Sequence, residues 1–411
     1  MNLWKTWLGF FTPLSVRNLQ VFWSGQVCSL IGMWLQVTAM GILVYELSGG
    51  SAKAVGLLAA LNALPFFLGG MYLGALGDRF ERRIVLIWVQ RVQFLLALIL
   101  FVLSLSAYLA SWQLYMAGFI MGVAQTISFP AQQAFVGDLV PKKHLQDAIG
   151  MYSLVFNTCR SIGPALGGYL IASWGATYSF LGNVALSVPL LISLAILARV
   201  QTKQVPKNKL GERPPHLAGL KVVLRDRGLL MIMISALIQN VFAQSLYQIV
   251  PAITYGNAQS TGILLSCVGA GAVTSLLLVM PFARKNPKIG MKLSMGTLWM
   301  GAMILIAGLI PALHIQAVCF FLAGLATSSL FVTSSAAVQW FAPSDLKSSV
   351  LGLFTIVTIG VQPLAALGWG AVIDVWGVSS TLATVGGVEI VLSCAMLTVP
   401  FWRQFGYRYQ S

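Results

Sequence analysis

Long apolar runs separated by short polar segments dominate the chain. A helix rises about 1.5 Å per residue, so about 20 apolar residues cross a hydrocarbon core of about 30 Å. The pattern predicts twelve such helices in two sets of six, at residues 18–45, 54–77, 84–107, 112–137, 145–173, 176–199, 228–253, 260–283, 289–311, 314–340, 346–374 and 377–401. The predicted fold class is therefore an all-α membrane protein.

The two sets of six are related by an internal repeat. A shift of 202 positions lays residues 141–175 on residues 343–377 without a gap. Pro141 then meets Pro343, and the pair Trp174-Gly175 meets Trp376-Gly377. A period of this length suits two similar membrane halves. We predict two pseudo-symmetric six-helix bundles at 1–200 and 228–411, joined by a cytoplasmic linker at 201–227.

Composition and charge agree with a membrane protein. Charged residues make up 9% of the chain, against about 25% in soluble domains. With the amino terminus inside, 22 of the 25 Lys and Arg residues fall at cytoplasmic ends of helices, which the positive-inside rule favours. Topology thus explains the net charge of +15, and we expect no nucleic-acid binding. The predicted location is a bacterial-type plasma membrane, with both termini cytoplasmic and no signal peptide removed.

The linker contains one helical pattern. Leu217, Leu220 and Leu224 recur at helical spacing beside Lys221 and Arg225. This arrangement predicts a short amphipathic helix on the cytoplasmic surface.

A charged loop follows the second predicted helix, at residues 74–83. The positive-inside rule explains the arginines of this loop. It does not explain the aspartate or the preceding glycine. The loop resembles the G-x-x-x-D-R-x-G-R-R signature of the major facilitator superfamily, with Glu81 where the family usually has glycine. The resemblance implies a cytoplasmic gate, with Asp78 facing the start of the eleventh helix. The matching residues are Gly74, Asp78, Arg79, Arg82 and Arg83.

The fifth predicted helix holds an arginine at membrane depth, Arg160, with Asn157 one turn before it. A central guanidinium costs about 2.5–3.5 kcal/mol on insertion scales, so it faces a cavity or a partner. We interpret Arg160 as part of an anion-attracting site, with a structural pairing as the alternative. The glycine-rich stretch beside it resembles the G-P-x-x-G-G motif of superfamily exporters, although bending and close packing explain it equally. That motif comprises Gly163, Pro164, Gly167 and Gly168.

Other polar residues at membrane depth are candidates either for substrate contacts or for hydrogen bonds between helices. They are Gln36, Asn62, Gln125, Asn240, Gln244, Tyr247 and Gln362. Three carboxylates, Glu389, Asp138 and Glu46, are weak candidates for proton coupling, and Glu389 can equally have a structural role.

Several chemistries lack their motifs. The sequence has no HExxH, no GxxxxGK[ST], no GxSxG and no paired CxxC. Three dispersed histidines do not predict a metal site. We therefore expect no enzyme activity, no cofactor and no metal, and any active transport must use a gradient.

The segments GMWLQ, ELSGGS and FPAQQAFVGDLVP, with the charged loop and the fifth helix, resemble the enterobactin-exporter type of subfamily. The resemblance implies a secondary transporter that exports a small amphipathic, anionic metabolite, siderophore-like or drug-like, by proton antiport. Its expected partners are that substrate, the lipid bilayer and a proton gradient, and its expected state is a monomer. The alternatives are uptake, movement of a lysolipid or drug, and a transporter-like receptor or scaffold that moves nothing.

Overall fold

The chain folds into helices joined by short connections. A computed structural model describes residues 15–77, 80–106, 108–141, 144–199, 216–279, 288–343 and 346–406. The first six helices are α1 Arg17–Leu47, α2 Ala52–Gly77, α3 Arg82–Leu105, α4 Ser111–Leu139, α5 Leu145–Trp174 and α6 Ala176–Ile196. After a short helix, α7 His216–Arg225, come α8 Arg227–Ile253, α9 Ala258–Val279, α10 Ile289–Leu309, α11 Leu313–Phe341, α12 Lys347–Trp376, α13 Val378–Thr398 and the terminal turn α14 Pro400–Gln404.

Twelve of these helices have membrane length. Within the described residues, ten are long and apolar enough to cross a bilayer by length and composition. The 26-residue α2 and the 30-residue α5 complete the predicted set. The all-helical class is thereby confirmed, and the helices fall where the apolar runs predict them.

The internal repeat extends to the helix boundaries. α4, α5 and α6 each begin and end 202 residues before α11, α12 and α13. The repeated Trp-Gly pair marks the same turn in both halves: Gly175 has φ +96° and Gly377 has φ +79°. Their N–H groups donate to the carbonyls of Ile171 and Ile373, at 2.9 and 2.8 Å. Positive φ favours glycine, which explains why the pair recurs.

Contacts between helices group the chain into two compact units. The first comprises Met1–Leu47, Leu61–Leu210 and Asn257–Gly262, and the second comprises Ser48–Ala60, Gly211–Gly256 and Ile263–Ser411. The first residues of α2 thus belong to the second unit, and the first residues of α9 belong to the first. These two short segments end at equivalent positions of the repeat, since Ala60 and Gly262 are 202 positions apart.

In the first unit, α1 packs against α5 and α6, and α3 packs against α4 and α6. One apolar cluster joins these helices, with fully buried Phe22 and Phe135 in edge-to-face contact at 5.3 Å between ring centroids. Glycine allows the backbones to approach: a Cβ built on Gly25 of α1 would lie 2.6 Å from Cα of Leu190 on α6. Such small residues are how membrane helices gain close packing.

The second unit contains three π-helical segments. They lie within α8 at Asn240–Gln244, at the end of α9 at Ser275–Val279, and within α12 at Ile356–Gly360. Single π-turns inside helices often occur at functional sites. No part of the sequence pattern predicts them.

The linker helix α7 forms where the sequence predicts it. Gly219 lies against Ser349 of α12, and Val223 is buried. Leu220 and Leu224, from the predicted apolar stripe, are exposed. The face with the smaller side chains therefore packs against α12, and the position of the leucine face on the cytoplasmic surface stays a prediction.

A close contact between α10 and α13 in the second unit gives a stability prediction. A Cβ built on Gly386 of α13 would lie 2.6 Å from the Gly301 carbonyl oxygen of α10, whereas one built on Gly387 meets nothing within 4 Å. Gly386→Ala should lower the free energy of unfolding in mixed micelles by about 1–3 kcal/mol, because the added methyl overpacks the contact.

Gly387→Ala is the matched control, since it adds the same methyl to open space. It should leave stability unchanged or raise it by up to about 1 kcal/mol through helix propensity. Equal effects of the two substitutions would contradict the described packing of α10 on α13.

Candidate functional site

Arg160 stands beside an aromatic pair in the first unit. Its guanidinium carbon lies 5.8 Å from the centre of the Trp34 ring on α1. Phe156, one turn earlier on α5, meets Trp34 edge-on at 6.0 Å between centroids. All three side chains are half-buried. A guanidinium over an indole face is a cation–π contact, which stabilises the charge without neutralising it.

The Trp34 indole adds a hydrogen-bond donor to this group. Its Nε1 is buried and has no hydrogen-bond partner among the described residues. An unpartnered buried donor is costly, so an acceptor atom at this position would be stabilised. Asn157 is half-buried on α5, one turn before Arg160. Together these groups form a partly apolar, donor-rich site suited to an anion with an aromatic or apolar body.

The glycine-rich motif after Arg160 lies in close helix contacts. Gly163 faces the Trp34 side chain so closely that any Cβ would clash with it. A Cβ on Gly168 would lie 2.5 Å from the Ala258 carbonyl oxygen at the start of α9, and one on Gly262 would lie 2.6 Å from the Pro164 carbonyl oxygen. Gly167 faces Thr38 of α1 with more room, at 3.3 Å. These contacts favour the packing interpretation of the motif.

The first unit's other candidates are engaged between helices. Gln36 is buried, accepts a hydrogen bond from Asn183 Nδ2 at 2.6 Å and donates to Met121 Sδ at 3.0 Å. Asn62 donates to the Gly118 carbonyl of α4 at 2.9 Å. These bonds link helices, which favours a packing role for both side chains. Gln125 is half-buried, with only the Met33 sulfur near its amide, at 3.8 Å.

In the second unit, two candidates meet at the π-helical segments. Gln362 of α12 donates to Asn240 Oδ1 of α8 at 2.7 Å, and Asn240 donates to the Ala236 carbonyl at 2.6 Å. Trp369 Nε1 donates to the Val241 carbonyl at 2.7 Å. The repeat places Gln362 at the position of Arg160, so each half presents a polar group at the same depth.

Gln244 and Tyr247 are both buried within the second unit. The Tyr247 ring packs against Phe320 at 5.7 Å between centroids. Both side chains are thus less exposed than Gln362, which is half-buried.

The charged loop is anchored to the first unit by its arginines. Arg82 pairs with Asp138 at the end of α4, with 2.6 Å between Nη1 and Oδ2. Arg83 Nε donates to the Leu194 carbonyl near the end of α6 at 2.7 Å, where a cation complements the helix dipole. Gly74 falls within α2, while Asp78 and Arg79 lie outside the described residues.

The three candidate acids have different surroundings. Asp138 is engaged by Arg82, and Glu46 is exposed at the end of α1. Glu389 of α13 is fully buried, and neither carboxyl oxygen has a hydrogen-bond partner among the described residues. Burial of an ionised carboxylate without a partner is very costly, and this cost sets Glu389 apart from the other two acids.

No cluster of three or more His, Cys, Asp or Glu side chains suited to a metal ion occurs among the residues that the structure describes.

The sequence reasoning missed the aromatic part of the site. Trp34 lies within GMWLQ, and Phe156 precedes Arg160 by four residues, the spacing at which helical side chains meet. The sequence reasoning also missed a cluster of polar and aromatic side chains near the start of α1. There Tyr152 donates to Gln132 Oε1 at 2.7 Å, Gln26 donates to the same atom at 3.3 Å, and the Trp23 ring lies 5.9 Å from the Tyr152 ring.

Two compact units of repeated membrane-length helices, with polar groups at membrane depth in each, define a secondary transporter fold. The transmembrane secretion effector family matches residues 8–404. The protein therefore belongs to this family, within the major facilitator superfamily, and is a multi-pass membrane transporter rather than an enzyme.

Its relatives and structural neighbours are distant. The chain is 23% identical to the staphyloferrin A transporter of Staphylococcus aureus, covering 93% of this chain and 94% of the relative. It is 23% identical to the enterobactin exporter EntS of Shigella flexneri, covering 92% and 90%. A crystal structure of a POT family transporter in complex with a thioalcohol-conjugated peptide superposes with a TM-score of 0.75 at 13% identity, covering 93% and 96%. The structural likeness concerns the fold alone.

The contact of Gly163 with Trp34 gives a testable prediction. Gly163→Ala should destabilise the protein by about 1–3 kcal/mol, because a methyl at this position displaces Trp34 from α5. Gly167→Ala, one turn on, meets Thr38 at 3.3 Å and needs only a small shift of that side chain, so it should cost less than Gly163→Ala. Thermal unfolding of the detergent-purified variants measures both, and similar losses at the two positions would argue against the described contact.

Proposed function

We propose that the protein exports a small amphipathic, anionic metabolite, siderophore-like or drug-like, across the plasma membrane. It works by alternating access, with residues 1–200 and 228–411 as the two moving bundles. Both termini are cytoplasmic, and the protein acts as a monomer.

The observation that carries this proposal is the environment of Arg160. A guanidinium at membrane depth is retained against a cost of about 2.5–3.5 kcal/mol on insertion scales. Arg160 lies over the face of Trp34, and the indole N–H points to no acceptor within the described chain. A ligand with an acidic oxygen and an apolar or aromatic body accepts a hydrogen bond from the indole and is attracted by the positive charge of the guanidinium. This chemistry supports an amphipathic anion as cargo.

The relatives support the same class of cargo. Two of them are named for staphyloferrin A and enterobactin, and the second is an exporter. We therefore propose a siderophore-like molecule as the first cargo to test, and outward movement as its direction.

A cytoplasmic gate at the charged loop belongs to the proposal. The ion pair of Arg82 with Asp138 and the bond from Arg83 to the Leu194 carbonyl hold the loop's end on the first unit. A fixed loop end is what a gate formed by Gly74, Asp78 and Arg79 requires.

We propose coupling to the proton gradient, with Glu389 as the proton carrier. Of the three candidate acids, Asp138 is paired and Glu46 is exposed, whereas Glu389 is buried without a partner. The helix α10, which packs against α13, contains one charged residue, Lys292. Its Nζ donates to Thr333 Oγ1 at 2.8 Å and not to Glu389. An acid that is neutral when buried can release its proton when a rearrangement hydrates it.

Transport into proteoliposomes tests the proposal directly. Purified protein is supplied with enterobactin or staphyloferrin A on one side, with and without an imposed pH gradient. Movement of the probe in the direction opposite to the proton flux supports antiport. Movement in the same direction as the proton flux would favour uptake. No movement of anionic, drug-like or lysolipid probes would favour a receptor or scaffold.

Arg160→Gln should lower transport of the anionic probe about 10- to 100-fold, because a hydrogen bond to a charged group contributes about 1.5–3 kcal/mol. Arg160→Lys should retain part of the activity, since it keeps the charge but loses the planar stacking. Initial rates in proteoliposomes provide the measurement.

The matched control is an arginine in the interior of α3, Arg91. Arg91 lies 5.2 Å from the centre of the Trp88 ring on the same helix and is exposed. Arg91→Gln should transport at the wild-type rate. The anion site would be disproved if Arg91→Gln and Arg160→Gln lost the same activity.

Glu389→Gln should leave binding of the probe intact but abolish the response of its transport to an imposed pH gradient, because the amide cannot release a proton. Ser393→Ala is the control, since Ser393 is buried one turn away and its hydroxyl donates to the Glu389 backbone carbonyl at 2.7 Å, not to the carboxyl group. If Glu389→Gln follows the gradient as the wild type does, Glu389 is a packing residue.

A further inference from the structure

An arginine of the first unit lies on the outer face of a membrane helix. α3 begins at Arg82, so Arg91 lies nine residues, or about 13 Å along the axis, inside it. Its side chain is exposed. Since the hydrocarbon core is about 30 Å thick, an exposed side chain at this depth faces lipid. A charge in that position is costly, so a partner must stabilise it.

The surface around Arg91 is apolar. Side chains on the same stripe of α3 recur at spacings of three and four residues, and each is between 41% and 60% exposed. They are Ile84, Trp88, Leu95, Ile99 and Val102. Arg91 is the charged member of this lipid-facing stripe.

Arg91 has no carboxylate partner in the part of the chain that the structure describes. In the same helix, Arg82 pairs with Asp138 and Arg83 donates to a backbone carbonyl. The contact of Arg91 is with Trp88, at 5.2 Å from the guanidinium carbon to the ring centre. A cation–π contact stabilises the charge, but it provides no acceptor for the N–H groups of the guanidinium.

The contact with Trp88 also shows which way the guanidinium points. Trp88 lies about one turn nearer than Arg91 to the start of α3. Side chains of a helix lean toward its amino terminus, and a long arginine stem can carry its charge toward the membrane interface. The guanidinium is therefore directed from the hydrocarbon toward the headgroups on the side of Arg82 and Arg83.

The repeat supplies an internal comparison. Leu293 of α10 stands at the position of Arg91 and is fully buried. Gly290 stands at the position of Trp88, and it lies directly against Trp402 of α14. The second half thus covers this position with its own chain. Among the described residues, the first half leaves an exposed cation and an exposed indole there.

We propose that Arg91 and Trp88 bind the headgroup of an anionic phospholipid of the phosphatidylglycerol class. The planar guanidinium offers several N–H donors in a fork that matches two phosphate oxygens. An indole is favoured at the level where headgroup meets acyl chain. The acyl chains then lie along Leu95 and Ile99 of the same stripe.

The net charge of the headgroup decides between lipid classes. A phosphatidylglycerol carries one negative charge, whereas the cation of a choline or ethanolamine headgroup is repelled by the guanidinium. The lipid site lies on α3, and the proposed anion site lies on α1 and α5, so the two sites share no residue. The inference is thus independent of the cargo and of the direction of transport.

Native mass spectrometry of the full chain tests the site. The protein in a neutral detergent is titrated with phosphatidylglycerol or with phosphatidylcholine, and the bound lipids are counted. One phosphatidylglycerol should bind more tightly than any phosphatidylcholine. Arg91→Gln should weaken its binding about 10-fold or more, because the charged hydrogen bonds are lost. Trp88→Leu should weaken it about two- to fivefold, through loss of the cation–π contact.

Arg17→Gln is the matched control, since Arg17 is exposed at the start of α1 and its loss changes the net charge equally. It should bind phosphatidylglycerol as the wild type does. Thermal unfolding gives a second measurement. Phosphatidylglycerol should raise the melting temperature of the wild type and of Arg17→Gln but not of Arg91→Gln. Equal melting temperatures in phosphatidylcholine alone show that the variants fold.

Three outcomes would overturn the proposal. Arg91→Gln may bind phosphatidylglycerol with wild-type affinity, or phosphatidylcholine may bind equally well. A dimer that contains no lipid and dissociates in Arg91→Gln would show that a second copy of the chain covers this face. Soluble glycerol phosphate serves as a competitor, and displacement of the lipid by it would reduce the site to one for free phosphate esters.

Discussion

Close approach of helix backbones at glycines is the constraint on which the rest of the structure depends. In a bilayer the lipid tails are as apolar as leucine, so burial of apolar side chains does not drive helices together. What remains is van der Waals contact and hydrogen bonding, and both need short distances. Gly25 against α6, Gly386 against α10 and Gly370 against α2 meet that need in separate parts of the chain.

The polar groups take their positions from these contacts. Gly163 has no side chain, so the Trp34 side chain of α1 lies directly against the backbone of α5. Arg160 can therefore lie over the Trp34 ring. In the second unit, Gln362 reaches Asn240 where π-helical segments interrupt α8 and α12. A π-turn widens the helix locally and frees backbone carbonyls, and Trp369 donates to one of them, on Val241. The candidate site is therefore a consequence of packing irregularities at defined positions.

Much of the fold was predictable, because the thickness of the bilayer sets the length of the apolar run that each membrane helix needs. The repeat register and the glycine turns at Gly175 and Gly377 were also visible in the sequence. The π-helical segments were not, since no local composition marks them. The face of α7 that packs, with Gly219 against Ser349, was not visible either, because the neighbouring helix selects it.

The site itself was only half visible. Arg160 stands out because a charge at membrane depth is costly, but its partner Trp34 is an ordinary apolar residue in the pattern. From the sequence, Gln36 is a candidate for substrate contact. In the structure it bonds Asn183, which is far along the chain and gives no signal near Gln36. Asp374 of α12, which caps the first turn of α2, has no local signal either, because that helix begins more than 300 residues earlier in the sequence.

Function in a duplicated protein depends on the positions where the copies differ. A charged residue in one half meets an uncharged residue in the other at several matched positions, among them Arg160 against Gln362, Ala172 against Asp374, and Ser187 against Glu389. The Ser187 hydroxyl lies 3.4 Å from Asn183 Oδ1, whereas the buried carboxyl of Glu389 has no hydrogen-bond partner among the described residues. The shared packing keeps both bundles alike, so each charge adds a property that its twin lacks. Because the proposed anion site lies in the first half and the proposed proton carrier in the second, neither bundle alone could complete a transport cycle.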